Sequence, residues 1–294
     1  MNNVSTIRII QPSSRGGEQL KSTRFQELQK EGFNIQYSEL TNSSHWPYAA
    51  KIETRVEAFI SAMTEENSQI ILCGRGGYGA SDLLPFLPWD DFSKLPHKWI
   101  VGFSDISAIL SAFWTKLKWP GIHGPMPFSS LWGQNNQDDI SFLLTLLKEN
   151  QKGGRISIDP LNSKQDSHPL EGWLFGGCLS VLCNLVGTPY FPNNLDGAVL
   201  FLEEVGENPG RILRYWNQLL QSGLLKNVRA VIWGHLKDLE SELSPTEVKA
   251  ELAHRSHIPS WSSDDFGHLS PNWSLGIGAN CLIHPNENYL SWRF

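Results

Sequence analysis

Cysteine is scarce in this chain of 294 residues: there are four, at Cys73, Cys178, Cys183 and Cys281, and their spacing fits neither a zinc set nor a disulfide framework. Buried free thiols are expected instead. Long apolar runs are also missing. Nothing approaches the roughly 20 apolar residues that a helix needs to cross a bilayer, so no membrane partner is expected. The N-terminus carries only the short run Ile7 to Ile10, without a basic stretch before it. That excludes an ordinary signal peptide and predicts a cytoplasmic protein. Positive charge is in deficit, with 24 Lys and Arg against 30 Asp and Glu and a net charge of −6, which argues against a nucleic-acid partner. Hydrophobic residues at 40% and charged residues at 18% exclude a disordered or fibrous chain.

What is present reads as an α/β protein. "STIRII", "NIQYSE", "SQIILC" and "HKWIVGF" read as strands, separated by helical patterns such as "AAKIETRVEAFISAMTEE", which places Ile52, Val56, Phe59, Ile60 and Met63 on one face. The second half gives "FGGCLSVLCNLVG" as a buried helix opening with a Gly pair, "GAVLFLEE" and "VRAVIWG" as strands, and "PGRILRYWNQLLQSG" and "SPTEVKAELAHR" as helices. The first of these two helices has Pro209 near its start and Gly223 at its end, as capping preferences predict. The last stretch, "WSLGIGANCLIHPNENYLSW", has the look of a β-hairpin. Length favours two domains, and the polar, turn-rich text between about Glu149 and Leu170 is the candidate boundary. The expected division is residues 1–150, a linker at 151–170, and residues 171–294. Most of the twelve tryptophans are expected in the core or at the domain interface, with some able to wall a cleft.

Four stretches could carry chemistry. "GRGGYG", from Gly74 to Gly79, has the form G-x-G-x-x-G after a strand, but it follows the third strand, whereas a dinucleotide turn follows the first. On pattern alone a tight Gly-rich turn without a ligand is the stronger reading. In "VGFSDIS", Ser104 stands at a strand-to-helix corner, where a nucleophile elbow would hold its hydroxyl out of the sheet. The elbow's usual second glycine is Ile106 here, and serine at such a corner is commonly a helix cap. "LFLEEVGE" closes an apolar strand with Glu203 and Glu204, and a buried carboxylate there needs a partner such as a histidine or arginine. An ion pair with Arg211 or Arg214 on the following helix would serve structure only. "DDFGHLSPNW" presents His268 on a Gly-containing loop. His254, His257 and Asp264 lack a clear further ligand, so no metal is expected.

Together these stretches resemble the LD-carboxypeptidases, a serine peptidase family that also contains the microcin C self-immunity peptidases. The resemblance rests on "RGGYG", "GFSDIS", "HGPM", "GGCLSVLCNLVGTPYFP", "LFLEEVGE" and "FGHLSPNWSLGIG", in order along nearly the whole chain. It implies an N-terminal parallel-sheet α/β domain and a C-terminal β-rich α/β domain with the active site between them. It further implies Ser104 as nucleophile, Glu203 as the acid that orients the histidine, and His268 as general base, with an oxyanion hole from the N–H groups of Gly77 and Asp105. Glu204 stands where the family has a second acid that is not catalytic. Arg75 and Arg214 are candidates for holding a substrate carboxylate. No cofactor or metal is implied, a murein peptide is the expected substrate, and a homodimer the expected assembly. An aminoacyl-nucleotide analogue, the substrate type of the immunity enzymes, is the alternative. A nicotinamide-binding oxidoreductase built on "GRGGYG" and a binding protein without catalysis are the readings from other classes. Cys178, Leu213 and Gly276 depart from residues usual in the family (asparagine, aspartate and proline), which bears on pocket shape and leaves the triad untouched.

Overall fold

The computed structural model describes residues 5–16, 18–37, 47–132, 137–148, 153–162 and 168–294. Gly17, the last two residues of the expected second strand (38–39) and residues 151–152 and 163–167 of the expected linker lie outside this set. The described strands are β1 (Thr6–Ile10), β2 (Asn34–Tyr37), β3 (Ile70–Cys73), β4 (Trp99–Val101), β5 (Gly121–His123), β6 (Gly153–Ser157), β7 (Asp159–Pro160), β8 (Leu170–Cys178), β9 (Ala198–Val205), β10 (Ala230–Lys237), β11 (Ser260–Ser262), β12 (Leu275–Ile277), β13 (Asn280–His284) and β14 (Tyr289–Arg293). Helices are α1 (Lys21–Lys30), α2 (Ile52–Thr64), α3 (Ala80–Leu83), α4 (Trp89–Phe92), α5 (Ser107–Leu117), α6 (Asp138–Leu147), α7 (Leu179–Cys183), α8 (Pro209–Gln221) and α9 (Pro245–His254).

The strands form two sheets, and the fold is α/β as expected. The first has the order β12-β5-β4-β3-β1-β2, parallel throughout except for β12, which runs antiparallel to β5. Its central strand β3 is buried at all four positions, as a strand covered on both faces must be. The second sheet has the order β6-β14-β13-β8-β9-β10-β11-β7, with β8 to β11 parallel and the outer strands antiparallel. A cluster of buried residues runs from Phe59 and Phe113 under the first sheet to Phe201 and Trp233 in the second, so the two sheets share a core.

Local signals account for most of the element ends. Asn208 caps α8 by accepting from the Arg211 N–H, Pro209 occupies the first turn, and Gly223 just beyond the helix takes a left-handed φ of 78°. Ser244 and Glu247 close α9 with a reciprocal capping box. On α2 the apolar face packs as the periodicity predicts, with Phe59 and Met63 buried and Ile52, Val56 and Ile60 against the core; Arg55 is buried with them. All four cysteines are buried and unbridged.

Three expectations need correction. Gly176 and Gly177 are strand residues near the end of β8, and α7 begins only at Leu179. A side chain at Gly176 would lie 1.8 Å from the Phe201 carbonyl oxygen on β9, so the glycine serves close strand approach, not a helix start. The turn-rich stretch at 151–170 is not a bare linker. Its described part forms β6 and β7, the two outer edges of the second sheet, where exposure allows polar residues. The C-terminal hairpin is confined to β13 and β14, because β12 leaves the second half of the chain and completes the first sheet.

Candidate active site

Ser104 begins a 3-10 turn between β4 and α5, and its φ of 62° is left-handed, a conformation that costs a non-glycine residue about 1–3 kcal/mol and clusters at functional sites. The turn is made tight by Gly102, where a Cβ would lie 2.8 Å from the Ile106 side chain. Ile106 thus occupies the space that the usual small residues of an elbow leave open, and Gly102 alone provides the clearance. Directly opposite, the Gly-rich loop passes close to Ser104: a Cβ on Gly76 would be 2.9 Å from Ser104 Cβ and 3.4 Å from the Asp105 nitrogen. Gly77 has φ 114°, and a Cβ there would meet the Ser14 hydroxyl at 2.4 Å. Gly76 thus brings bare backbone to the serine, and Gly77 lines the same cleft.

The second sheet supplies a buried carboxylate, and the loop that leaves its strand β11 brings an imidazole. Glu203 lies near the carboxyl end of β9, in register with Cys178 on β8, and is fully buried. His268 sits in the loop after β11, with its Nδ1 2.5 Å from Glu203 Oε2 and its Nε2 2.9 Å from Ser104 Oγ. Three segments, separated in sequence by 164 and 65 residues, therefore join in one hydrogen-bond chain. Burial by itself would raise the Glu203 carboxyl, but the charge and hydrogen bond of His268 hold it below the ordinary carboxylate range. Burial likewise opposes charge on His268, yet Glu203 attracts it strongly enough to raise the imidazole above its ordinary value of 6.5. Both shifts favour the same ion pair. The elbow is tied to this sheet by the Ser107 hydroxyl, which accepts from the Cys178 N–H at 3.0 Å.

Glu204 turns away from the histidine. It accepts from the N–H groups of Ser180 at 2.8 Å and Val205 at 3.0 Å, and from the Cys178 thiol at 3.3 Å, so it fixes the start of α7. The two candidate arginines separate as well. Arg75 is exposed in a cleft of about 350 Å³ that also contains Gly76, Gly77, Ser104, Ser129 and His268. Arg214 is exposed on α8 and is not among the residues lining that cleft. A larger cavity of about 590 Å³ crosses β8, β13 and β14 but contains none of the converging groups, so volume is a poor guide here and chemistry a better one.

Some residues around the site were given no role by the sequence, although His123 opens "HGPM" and Asn272 lies in "FGHLSPNWSLGIG". His123 on β5 is fully buried among Phe103, Phe201 and Phe266, and burial pushes its imidazole down to about 4, which keeps it neutral. Its ring nitrogens and Glu203 Oε1 have no hydrogen-bond partner among the described residues. The His268 loop is braced by His235, whose Nδ1 accepts from the Leu269 N–H at 3.3 Å, and by Asn272, which accepts from the Gly267 N–H and donates its own N–H to Asp139. Nothing local in the sequence shows the contacts that these residues make. Among the described residues no group of three or more His, Cys, Asp or Glu side chains could hold a metal ion, and Asp264 is paired with Lys249 at 3.4 Å. No helix among them is long and apolar enough to cross a membrane.

The LD-carboxypeptidase N-terminal domain matches residues 7–124 and the LD-carboxypeptidase C-terminal domain residues 171–283. The murein tetrapeptide carboxypeptidase of Pseudomonas aeruginosa is 27% identical, over 97% of this chain and 94% of its own. The microcin C7 self-immunity protein MccF of Escherichia coli is 25% identical, over 90% and 85% of the two chains. The crystal structure of a muramoyltetrapeptide carboxypeptidase from Oxalobacter formigenes shares the fold with a TM-score of 0.83 at 24% identity, covering 98% of each chain. With both family domains matched in order and the fold shared from end to end, the chain belongs to the LD-carboxypeptidase family.

Proposed function

We propose that this protein is a metal-independent serine carboxypeptidase that releases the terminal D-alanine from murein tetrapeptide, cutting its bond to the L-centre of diaminopimelate. The observation that carries the reading is the continuous chain from Ser104 through His268 to buried Glu203, beside Arg75 in one cleft. In the tautomer with its proton on Nδ1, His268 donates to Glu203 and its Nε2 accepts the Ser104 proton as the oxygen attacks the amide carbonyl. The oxyanion turns toward the N–H groups of Gly77 and Asp105, each such donor contributing about 3 kcal/mol to the transition state. Protonated His268, stabilised by Glu203, then passes its proton to the departing D-alanine amine. Water, activated by the same imidazole, clears the acyl-enzyme. A carboxypeptidase also needs a cation for the terminal carboxylate, and Arg75 is the guanidinium in the cleft.

The direct test is D-alanine release from murein tetrapeptide with chelator present. Wild type should release it, Ser104→Ala should not, and Arg75→Ala should raise KM about 10- to 100-fold, the loss of one charged hydrogen-bonding group. No release by wild type would overturn the murein reading. One observation favours the immunity-type alternative: Tyr78, next to Gly77, is exposed and packs against Tyr48 with ring centroids 5.8 Å apart, a surface on which a base could stack. Cleavage of an aminoacyl-nucleotide analogue in preference to tetrapeptide would select it. The murein reading further entails cytosolic recycling of cell-wall peptides and a homodimer, testable by fractionation and light scattering. It also entails a domain division near residue 150, with nucleophile and oxyanion hole on one side and acid and base on the other.

A further inference from the structure

The loop from Gly76 to Ala80 has no sheet ladder to hold it, and two of its residues, Gly77 and Gly79, take left-handed φ values of 114° and 109°. Its polar groups are taken up instead by two buried charged side chains and by Ser14. Arg55 on α2, 2% exposed, donates Nη1 to the carbonyls of Gly79 at 2.7 Å and Pro12 at 2.8 Å, and Nε to the carbonyl of Ala50 at 3.1 Å. Its Nη2 lies 3.6 Å from the Asp82 carboxylate. Asp105, 6% exposed, accepts at one carboxylate oxygen from the Ala80 N–H at 2.8 Å and from the Ser13 hydroxyl. Between them, the Ser14 hydroxyl accepts from the Tyr78 N–H at 3.0 Å, and the Ser14 N–H donates to the Gly76 carbonyl at 3.3 Å.

Stability alone is a poor reason for this arrangement. Charged groups are costly to bury, and an apolar filling of the same space is often neutral or better. What the charges provide is direction, because a guanidinium fork and a carboxylate fix several backbone groups at defined angles. The backbone so fixed is the stretch that faces Ser104, where a Cβ on Gly76 would lie 2.9 Å from the serine Cβ.

We propose that the Asp105 side chain and Arg55 are positioning residues for the oxyanion hole. Asp105 then acts twice: its N–H is one donor, and its carboxylate, with Arg55, holds the loop that carries the other donor, Gly77. The relation of both amides to the Ser104 oxygen is thereby set by one residue and its partners. This inference rests on the serine-peptidase reading and adds that the two halves of the oxyanion hole are mechanically coupled.

The test compares wild type with Ser13→Ala, Asp105→Ala, Asp105→Asn and Arg55→Lys by three measurements: melting temperature, kcat and KM for D-alanine release, and the rate at which a fluorophosphonate labels Ser104. Labelling needs the nucleophile and the oxyanion hole but not the murein peptide. Because the hole acts in the transition state, Asp105→Ala and Arg55→Lys should lower kcat and the labelling rate together by about 10- to 100-fold with KM unchanged. Ser13→Ala, which leaves both charges in place and carries the least folding risk, should lower them by a few-fold. Asp105→Asn should recover most of the loss, since its amide oxygen can still accept from Ala80. Variants that melt lower but keep wild-type kcat and labelling would overturn the inference, as would a rise in KM alone. If wild type labels but releases no D-alanine, the murein reading falls and the labelling rates still decide the clamp. If wild type does not label at all, both fall.

Discussion

At the carboxyl end of β4 the chain forces Ser104 to a φ of 62°, whereas near the carboxyl end of β9 Glu203 is simply one more residue of a buried parallel strand. The first sheet brings shaped backbone to the cleft, namely a strained serine and glycines where a Cβ would crowd Ser104 or Ser14. The second sheet brings titratable side chains, held by burial and by each other. Backbone placement tolerates little substitution but needs no protonation state, while the Glu203–His268 pair is tuned by pH and depends on each partner's charge. The contrast teaches that one site can draw its geometry and its proton chemistry from separate structural units.

The sharpest way to break the comparison is to alter charge in the second sheet while leaving shape intact. Under the proposed mechanism, Glu203→Gln should lower kcat by about 10⁴-fold, the cost of losing the tautomer and the counter-charge, as measured by D-alanine release or fluorophosphonate labelling. A loss of only a few-fold would mean that Glu203 acts in folding alone. The matching change in the first sheet is Gly77→Ala, which adds one methyl against Ser14 at a φ of 114°. It should cost about 10²- to 10³-fold in kcat through a misplaced amide, with the pH profile unmoved.

A smaller effect separates the two regions by titration. Burial opposes charge on His268 but Glu203 overrides it, so the imidazole is raised, and activity, which needs the neutral form, should fall as pH drops through an apparent pKa above 6.5 in kcat/KM. Residual activity of Glu203→Gln should show that limb displaced to lower pH, because burial then acts without its counterweight. The same pair has a stability signature. Raised His268 contributes fully below 6.5 and loses its contribution as pH rises through the folded value, and lowered Glu203 contributes above 4.5 and loses it as pH falls. The pair therefore stabilises the fold most between those values, and Glu203→Gln should lower the melting temperature most within that range and abolish the pair's loss of stability above it.

Several of these features were legible in the residues themselves. Ser104 was visible because a strand pattern runs straight into a helical one, and Glu203 because an acid closing an apolar strand demands a partner. His268 was weaker, a loop histidine that gained meaning from its place in a resemblance. Arg55 was not legible at all, since a lone arginine on a helix is ordinarily solvated and nothing nearby in sequence shows the three carbonyls it binds. Gly176 and Gly177 misled because a strand buried on both faces reads as a continuous apolar run, which periodicity cannot distinguish from a buried helix segment. The three residues of β12 were too few to reveal that they pair with β5 across a gap of some 150 positions.

By its own chemistry the sequence determined the local elements, the tight turns that glycine permits, the absence of a metal-binding spacing, and the two strand ends where chemistry could sit. Those follow from periodicity, capping and steric rules that act within a few residues. Only the tertiary structure decided that Ser104, Glu203 and His268 meet, that Arg75 and not Arg214 lines the cleft with Ser104 and His268, and that Arg55 and Asp105 hold the Gly-rich loop. Each of those depends on contacts between segments far apart in the chain, whose relative placement is set by how two sheets pack into a shared core and by no pattern along the backbone.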